Sequence, residues 1–406
     1  MTETWALASV WIALALAAAL LSIYLRIANA LGEILVGIAA GALIGSAALG
    51  SDTSWVKFVS GTAAVVLTFL AGAELDPAVF RAKWKEATAV GLVSFAAPFL
   101  ACTAAAYYLL GWNLQASWLA GVAMSTTSVA VVYAVMLEFG LNRTDYGKTV
   151  LAACFITDLG TVLALGMLFA PFTYKTVIFG VATVALCMLL PRITPQFLRR
   201  FGERPSEIET KYLLLALFGL GALASWADSE PVLPAYVIGM VLAGSVGRNH
   251  ALVRRLRTLT FGLLTPFYFL RAGSYVTLPA LAAAPVVFLV LLGSKIVSKC
   301  IGVYPVARLY GSPNREAMYT TLLMSTGLTF GSISALFGLT HRIIDQAQYT
   351  LLILAVIASA IVPTLIANAF FLPRHLFPGP ESLREAAERA PQAAHLLPYT
   401  DPRERK

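Results

Sequence analysis

Apolar stretches of about 20 residues recur along most of the chain, and this feature constrains the fold more than any other. Each stretch is long enough to cross a hydrocarbon core roughly 30 Å thick as an α-helix. Of the 406 residues, 59% are hydrophobic and 12% are charged, whereas a typical soluble domain has about 25% charged residues. A soluble chain of this composition would expose much apolar surface to water, so we predict an all-α, polytopic membrane protein.

Breaks at glycine, proline and charged residues divide the apolar sequence into about thirteen predicted transmembrane helices. They cover residues 5–24, 29–48, 57–74, 88–110, 116–137, 148–170, 176–191, 211–227, 233–246, 259–273, 279–303, 317–337 and 347–371. The first stretch follows Glu3 rather than a basic segment and has no convincing cleavage site, so we interpret it as a retained helix and not as a signal peptide.

Basic residues are concentrated in alternate loops between these helices. The loops predicted to lie on one side hold Arg26, Arg81, Lys83, Lys85, Arg143, Lys148, Arg192, Arg199, Arg200, Arg204, Lys211, Arg248, Arg254, Arg255, Arg257, Arg308 and Arg315. Cytoplasmic loops are enriched in Lys and Arg, so we expect an outside N-terminus and a cytoplasmic C-terminus in a bacterial inner (plasma) membrane. The net charge of +8 then reflects membrane topology, and we expect contact with membrane lipid rather than with nucleic acid.

A short internal repeat links the two halves of the chain. Met124-Ser125-Thr126 in the fifth predicted helix recurs as Met324-Ser325-Thr326 in the twelfth. Polar residues and glycines interrupt both apolar runs, as STTS at 125–128 and STGLTFGS at 325–332. In the predicted topology these two helices cross the membrane in opposite directions. Corresponding interruptions of this kind are typical of inverted-repeat transporters, so we predict inverted repeats with two broken helices.

Asp158 lies in the middle of the sixth predicted helix, in the sequence CFITDLGTVLALG. A charged side chain at the centre of a membrane helix costs at least roughly 2.5–3.5 kcal/mol. An apolar environment favours the neutral acid and a bound cation favours the carboxylate, so an isolated membrane carboxyl group can exchange a proton for a cation. The alternative is an aspartate that only packs and hydrogen-bonds between helices.

Hydroxyl side chains accompany the predicted helix breaks. Thr126, Thr127 and Ser128 could offer oxygen ligands to a hard monovalent cation, together with backbone carbonyls freed by the break. Ser325 and Thr326 are possible accessory ligands at the second break. Ser and Thr also commonly join membrane helices by hydrogen bonds, and this alternative stays open.

Two lysines lie one helical turn apart on one face of the eleventh predicted helix, at positions 295 and 299. Lys295 is nearer the membrane interior and Lys299 is nearer the inner boundary. Either could compensate charge at the ion site, or could extend along the helix to the cytoplasmic interface. Glu74, near the inner end of the third helix, is a possible accessory acid or a cap of the ELDP turn.

Several stretches together resemble the bacterial cation:proton antiporter superfamily, which includes sodium/proton and Kef-type potassium/proton exchangers. They are GEILVGIAAGALIG (32–45), FLAGAELDP (69–77), STTSVAVVYAVMLEFG (125–140), ITDLGTV (156–162), TPFYFLRAG (265–273) and SKCIG (298–302). Their order and spacing carry the resemblance, which covers the chain to about residue 373.

The resemblance implies a homodimer and an exchanger membrane domain over residues 1–373. A scaffold would comprise about 1–86 and 176–275, a mobile core about 87–170 and 279–371, and residues 374–406 would form a short cytoplasmic tail. The core would hold two crossed broken helices, the fifth and the twelfth. By motif, Asp158 matches the family's ion-binding aspartate and Thr157 the residue before it. Thr127 and Ser128 match the hydroxyls of the unwound segment.

The same comparison of motifs matches Lys299, rather than Lys295, to the family's basic residue in the eleventh helix. Electrogenic relatives carry two adjacent aspartates, whereas this chain has Thr157 before Asp158. Kef-type proteins often carry a nucleotide-binding domain after the last helix, and we expect none in this chain.

These observations predict a secondary active antiporter that exchanges Na⁺ or K⁺ for H⁺, not an enzyme, with no cofactor beyond the transported ions. With a single carboxyl group at the site, we expect an electroneutral cycle. A sodium-coupled symporter of a small organic anion is the alternative, since related folds host that function. A sensor would be expected to lack the membrane acid, and the predicted helices contain no Ser/His, paired-Asp or metal-ligand arrangement for an intramembrane hydrolase.

Overall fold

The computed structural model describes residues 2–376, apart from 26, 74–76, 140, 142–143, 170–172, 203–205, 228, 230 and 248. The described residues form helices and no β-strand. The first nine helices are α1 (Thr2–Leu25), α2 (Asn29–Leu43), α3 (Ser54–Ala73), α4 (Pro77–Ala104), α5 (Leu114–Ser125), α6 (Val129–Glu138), α7 (Asp145–Phe169), α8 (Tyr174–Phe201) and α9 (Ile208–Trp226). The others are α10 (Val232–Leu242), α11 (His250–Leu259), α12 (Thr265–Ser274), α13 (Leu278–Ala283), α14 (Pro285–Leu309), α15 (Asn314–Met324), α16 (Thr329–Thr340) and α17 (Gln346–Ile366).

The described part of the chain contains 10 helical segments that are long and apolar enough to cross a membrane, and two of them, Leu114–Tyr133 and Asn314–Thr340, each include parts of two of the helices named above. Two shorter apolar helices, α2 and α10, add to these, and α12 continues from α11 through a π-helical segment at Thr260–Leu264. Each of the predicted transmembrane stretches therefore has a helical counterpart, and the all-α, polytopic fold is confirmed. The second helix ends earlier than predicted, and Gly45 beyond its end has a φ of 89°.

The two predicted helix breaks are present. α5 ends at Ser125, and Thr126 takes an extended conformation (φ −62°, ψ 154°) before α6 begins. α15 ends at Met324, and Leu328 (φ −143°, ψ −69°) precedes α16. Each interrupted apolar run therefore forms two half-helices with an unwound segment between them.

Glycines allow two pairs of helices to pack with their backbones close together. A Cβ atom at Gly37 of α2 would collide with the backbone of α12, and one at Gly273 of α12 would collide with the backbone of α2. Gly72 of α3 and Gly239 of α10 form the same reciprocal contact. Small residues permit such close approach between membrane helices, so these pairs form one compact group of helices.

A second group of helices surrounds the two breaks. α4 packs against α5, α7 and α14, and α14 also contacts α15 and α17. α8 lies at the outside, with 11% of its apolar stretch buried. The predicted division into scaffold and core ranges stays a prediction, and residues 377–406 of the predicted tail lie outside the described residues.

Candidate ion-binding site

The two unwound segments cross and hydrogen-bond to each other. The backbone N–H of Ser128 donates to the carbonyl oxygen of Thr326 at 3.1 Å, and the Thr127 hydroxyl donates to the carbonyl oxygen of Met324 at 2.8 Å. Residues at the end of a helix lack intrahelical partners for their backbone groups. The crossing supplies some of these partners, which explains how two breaks can be buried together inside an apolar bundle.

The hydroxyl residues of the first break are buried at the crossing. Thr126, Thr127 and Ser128 are each at most 1% exposed. Thr126 Oγ1 donates to the Ala123 carbonyl at 3.2 Å, and Ser128 Oγ accepts from the Val131 N–H at 3.4 Å, at the start of α6. All three hydroxyl oxygens belong to buried residues at the crossing, and their role as cation ligands stays a prediction.

Asp158 is 1% exposed and lies midway along α7. Its Oδ1 atom is buried without a hydrogen-bond partner in the described structure. Thr157, the preceding residue, donates its hydroxyl proton to backbone carbonyls, with Gly91 of α4 at 3.1 Å and Ala153 of α7 at 3.0 Å. The Asp158 carboxyl group thus has a free oxygen, whereas the Thr157 hydroxyl already joins two helices.

Lys299 connects α14 to the first break. Its Nζ atom donates to Ser94 Oγ at 2.7 Å, to Thr127 Oγ1 at 3.1 Å and to the Ser125 carbonyl at 3.2 Å. An ammonium group has three protons to donate, and here each has an acceptor. The Ser125 carbonyl belongs to the last turn of α5, where a helix end attracts positive charge. Among the described residues Lys299 forms no ion pair with Asp158.

Lys295 lies one turn earlier on α14 and approaches the second break. Its Nζ donates to Ser359 Oγ of α17 at 3.1 Å, and a Cβ atom at Gly327 would collide with it. Both lysine side chains are 0% exposed, so neither reaches the protein surface. The structure therefore places one lysine at each break.

The accessory residues of the second break bond mainly within their own helix. Ser325 Oγ donates to the Thr321 carbonyl at 2.8 Å, and Thr326 Oγ1 donates to the Leu323 carbonyl at 2.7 Å. Thr326 Oγ1 also accepts from Ser128 N–H at 3.4 Å. Glu74 lies outside the described residues, so its accessory role stays a prediction.

Sequence reasoning missed three residues that line this region. Ser94 and Ser359 contact the two lysines, and each is an isolated polar residue within an apolar helix, which is the signal that could have found them. Tyr236 of α10 donates its hydroxyl to the Phe155 carbonyl of α7 at 2.9 Å. This bond joins the glycine-packed group of helices to the helix that carries Asp158.

The arrangement offers a buried carboxyl group, several hydroxyl and carbonyl oxygens, and two lysines. Hard cations prefer oxygen ligands, and a carboxyl group can hold either a proton or a cation. No group of three or more His, Cys, Asp or Glu residues that could hold a metal ion occurs in the described structure.

The profile of the transmembrane sodium/hydrogen exchangers matches residues 12–372 of this chain. The chain belongs to the sodium/hydrogen exchanger family. Members related to it are described as Na⁺/H⁺ antiporters and potassium-efflux proteins, so the recognition from sequence motifs is confirmed. The family consists of cation/proton antiporters rather than enzymes.

Two relatives illustrate its range. The chain is 28% identical over 393 residues to the glutathione-regulated potassium-efflux system protein KefC of Enterobacter sp. (strain 638), covering 92% of this chain and 62% of KefC. It is 24% identical over 334 residues to the probable Na⁺/H⁺ antiporter 3 of Methanocaldococcus jannaschii, covering 78% of this chain and 84% of that protein. The chain thus spans about three fifths of the KefC length.

The fold also matches a solved antiporter structure. The sodium proton antiporter MjNhaP1 from Methanocaldococcus jannaschii at pH 8 aligns with a TM-score of 0.69, covering 93% of this chain and 99% of that chain. The two sequences are 14% identical in this alignment, so the likeness supports the fold alone.

Proposed function

We propose that the protein exchanges one monovalent cation, Na⁺ or K⁺, for one proton by alternating access, with Asp158 as the exchanging group. The observation that carries the proposal is the Asp158 carboxyl group. It is 1% exposed, has an unpartnered oxygen and belongs to the helix that packs against the first break. Thr126, Thr127 and Ser128, with the nearby backbone carbonyls, would complete the oxygen shell of the cation.

The hydrogen bonds of Lys299 support an electroneutral cycle. Three neutral oxygens accept its protons, so the ammonium form is satisfied without the Asp158 carboxylate. In this proposal Lys299 keeps its charge throughout the cycle, and Asp158 alone gains or loses a proton. One proton then leaves for each monovalent cation that binds, and no net charge moves.

The proposal also includes the assembly and placement of the protein. We expect a homodimer in the bacterial inner membrane, with the N-terminus outside and the C-terminus in the cytoplasm. The alternation of basic loops supports this orientation, and the family resemblance supports the dimer. Labelling of single cysteines introduced near positions 228 and 254 from each side of the membrane would test the orientation.

Exchange by Asp158 is tested with purified protein in lipid vesicles. Asp158→Asn keeps the side-chain volume and removes the titratable charge, so dissipation of a pH gradient by added Na⁺ or K⁺ should fall to the rate of empty vesicles. Asp145→Asn is the matched control, since Asp145 is an exposed residue in the first turn of the same helix, and it should transport normally. Wild-type exchange by Asp158→Asn would refute the mechanism.

The same vesicles test electroneutrality. A membrane potential acts on moved charge with about 2.3 kcal/mol per charge per 100 mV. An imposed potential should therefore leave the rate of cation-driven proton movement unchanged. A rate that follows the potential would show that a second proton moves, with Lys299 and Lys295 as the groups to examine.

A further inference from the structure

A pocket distinct from the ion-binding site lies at the end of the bundle that the sequence predicts to face outward. Its volume is about 580 Å³. One side is formed by α12 and the segment between α2 and α3, and the other by the ends of α16 and α17. We call it the Arg271 pocket, and the residues that matter for its chemistry are Asp52, Lys57, Arg271, Tyr275, Arg342 and Gln346.

Arg271 is the buried charge of this pocket. It is 5% exposed, and its Nε–H donates to the Ser51 carbonyl at 2.8 Å. The guanidinium lies over the Tyr275 ring, 5.4 Å from its centroid. These contacts fix the plane of the group, yet Arg271 forms no ion pair within the described structure. A buried charge is normally paired, whereas Asp52, the carboxylate of this pocket, forms its ion pair with Lys57.

Arg342 brings a second positive charge from the opposite wall. It follows α16, and its backbone has a φ of 57°, which is uncommon for a residue with a side chain. Its side chain is exposed and forms no ion pair in the described structure. Gln346, at the start of α17, donates to the Tyr275 carbonyl at 3.2 Å, so the two walls are in direct contact beside the pocket.

The remaining charges of the pocket do not neutralise these arginines. Lys57 pairs with Asp52 at 3.1 Å. Partial burial by itself would raise the pKa of the Asp52 carboxyl group, but hydrogen bonds from Lys57 and Tyr275 and the charges of Lys57 and Arg271 lower it below its ordinary value. Asp52 is therefore ionised at neutral pH, and three cationic groups face one carboxylate. The pocket repels cations and attracts anions.

We propose that the Arg271 pocket binds a phosphate group, either as free inorganic phosphate or as part of a lipid headgroup. The planar guanidinium of arginine matches two oxygens of a phosphate group at once. The volume of the pocket accommodates a polyatomic anion together with water. Arg271 would supply the fixed donors, and Arg342 would close over the anion from the other wall.

A phosphate group bound in this way would tie α12 to the segment between α16 and α17. These elements lie in the predicted scaffold and the predicted core, whose relative movement the exchange mechanism requires. Bound phosphate should therefore slow exchange. This consequence rests on the proposed function, whereas phosphate binding itself does not.

Binding is tested by calorimetric titration of the purified protein in detergent with inorganic phosphate at constant ionic strength. Arg342→Gln should weaken binding about tenfold or more, since it removes a charge-assisted hydrogen bond. Arg271→Lys should also weaken binding, because it keeps the charge and loses the planar pair of donors. Arg254→Gln is the matched control, an exposed arginine near the other end of the α11–α12 segment, and it should bind as wild type.

A second titration with short-chain phosphatidylglycerol identifies the source of the phosphate group. The site is supported if either ligand binds and Arg342→Gln weakens that binding. The ligand that binds more tightly then identifies whether the phosphate group comes from free phosphate or from a lipid headgroup. Should Arg271→Lys fail to fold, Arg342→Gln alone decides. The proposal is overturned if neither ligand binds saturably, or if Arg342→Gln binds as tightly as wild type and Arg254→Gln.

Asp158→Asn separates this inference from the proposed function. That variant should bind phosphate as wild type does, whatever its transport rate. In vesicles, the bound ligand should slow wild-type exchange and affect Arg342→Gln less. If the ligand binds but does not change the exchange rate, the binding site is supported and its link to the conformational cycle is refuted.

Discussion

The two helix breaks begin with the same three residues, yet they are built differently. The first continues as Thr127-Ser128, and the second as Gly327-Leu328. Thr127 accepts a hydrogen bond from Lys299 and donates one to the second break. Gly327 has no side chain, and Lys295 Nζ lies where its Cβ atom would be. The first break thus presents oxygen atoms, whereas the second leaves room for a lysine.

This difference extends to the lysines and to the direction of the hydrogen bonds. Lys299 has two acceptors at the first break, the Ser125 carbonyl and Thr127 Oγ1, and a third in Ser94 Oγ of α4. Among the described residues Lys295 has one acceptor, Ser359 Oγ of α17. The hydrogen bonds described between the two breaks run from the first to the second: the Thr127 hydroxyl donates to the Met324 carbonyl, and the Ser128 N–H donates to the carbonyl and hydroxyl oxygens of Thr326. An internal sequence repeat therefore does not make the two unwound segments equivalent, because the side chains that contact each segment differ.

The largest expected effect comes from adding a side chain to the second break. Gly327→Ala places a Cβ atom in collision with Lys295 Nζ and 2.6 Å from Thr126 Oγ1, and overpacking of a core costs about 1–3 kcal/mol. We expect a clear loss of thermal stability in detergent, together with slower exchange. Gly293→Ala in α14 is the control, since its Cβ atom would meet nothing within 4 Å. Equal stability of the two variants would show that the second break has spare room.

The two lysines should differ in their contribution to stability. Lys299→Met removes the donor of three buried hydrogen bonds, although the Thr127 hydroxyl keeps its bond to the Met324 carbonyl. A hydrogen bond contributes about 0.5–1.5 kcal/mol net, so we expect a loss of about 2 kcal/mol. Lys295→Met should cost less than about 1 kcal/mol, because its partner Ser359 also bonds to backbone carbonyls. Thermal unfolding of both variants under one condition measures the difference. Equal shifts would contradict the asymmetry drawn from the hydrogen bonds.

The smallest effect concerns the threonines. Thr127→Val removes the hydroxyl that contacts both Lys299 and Met324, and it should raise the apparent KM for the cation about five- to tenfold, as the loss of one hydrogen bond of about 1 kcal/mol implies. Thr326→Val keeps the backbone carbonyl that accepts from Ser128, and should change the KM less than about twofold. Titration of exchange rate against cation concentration compares them. An equal change in the KM of both variants would indicate that Thr127 has a purely structural role.

Much of the fold could be predicted because membrane helices carry a strong local signal. Length and hydropathy located each helical stretch, and the polar interruptions at 125–128 and 325–332 located the breaks. The ends of short helices were predicted less accurately, as the early end of α2 at Leu43 shows. An end of this kind depends on turn geometry and on the packing of neighbouring helices, which hydropathy does not report.

Part of the candidate site could be predicted as well. Asp158 stood out because a charge within a membrane helix is costly, and Lys299 was preferred to Lys295 through the family motif. Ser94 and Ser359 were missed because a single serine in an apolar helix is common, so it is a weak signal without a known neighbour. Their importance comes from contacts between residues separated by 205 and 64 positions in the chain.

By itself, the sequence determined that this protein is a helical membrane protein with two interrupted helices, one central acid and two lysines on one helix face. These are properties of composition and spacing, which the bilayer enforces on each helix separately. Only the tertiary structure decided which lysine meets which break, how the breaks bond to each other, and that Arg271 and Arg342 face one pocket. Those relations join distant segments, and close packing of side chains selects one arrangement among many that the same helices could adopt.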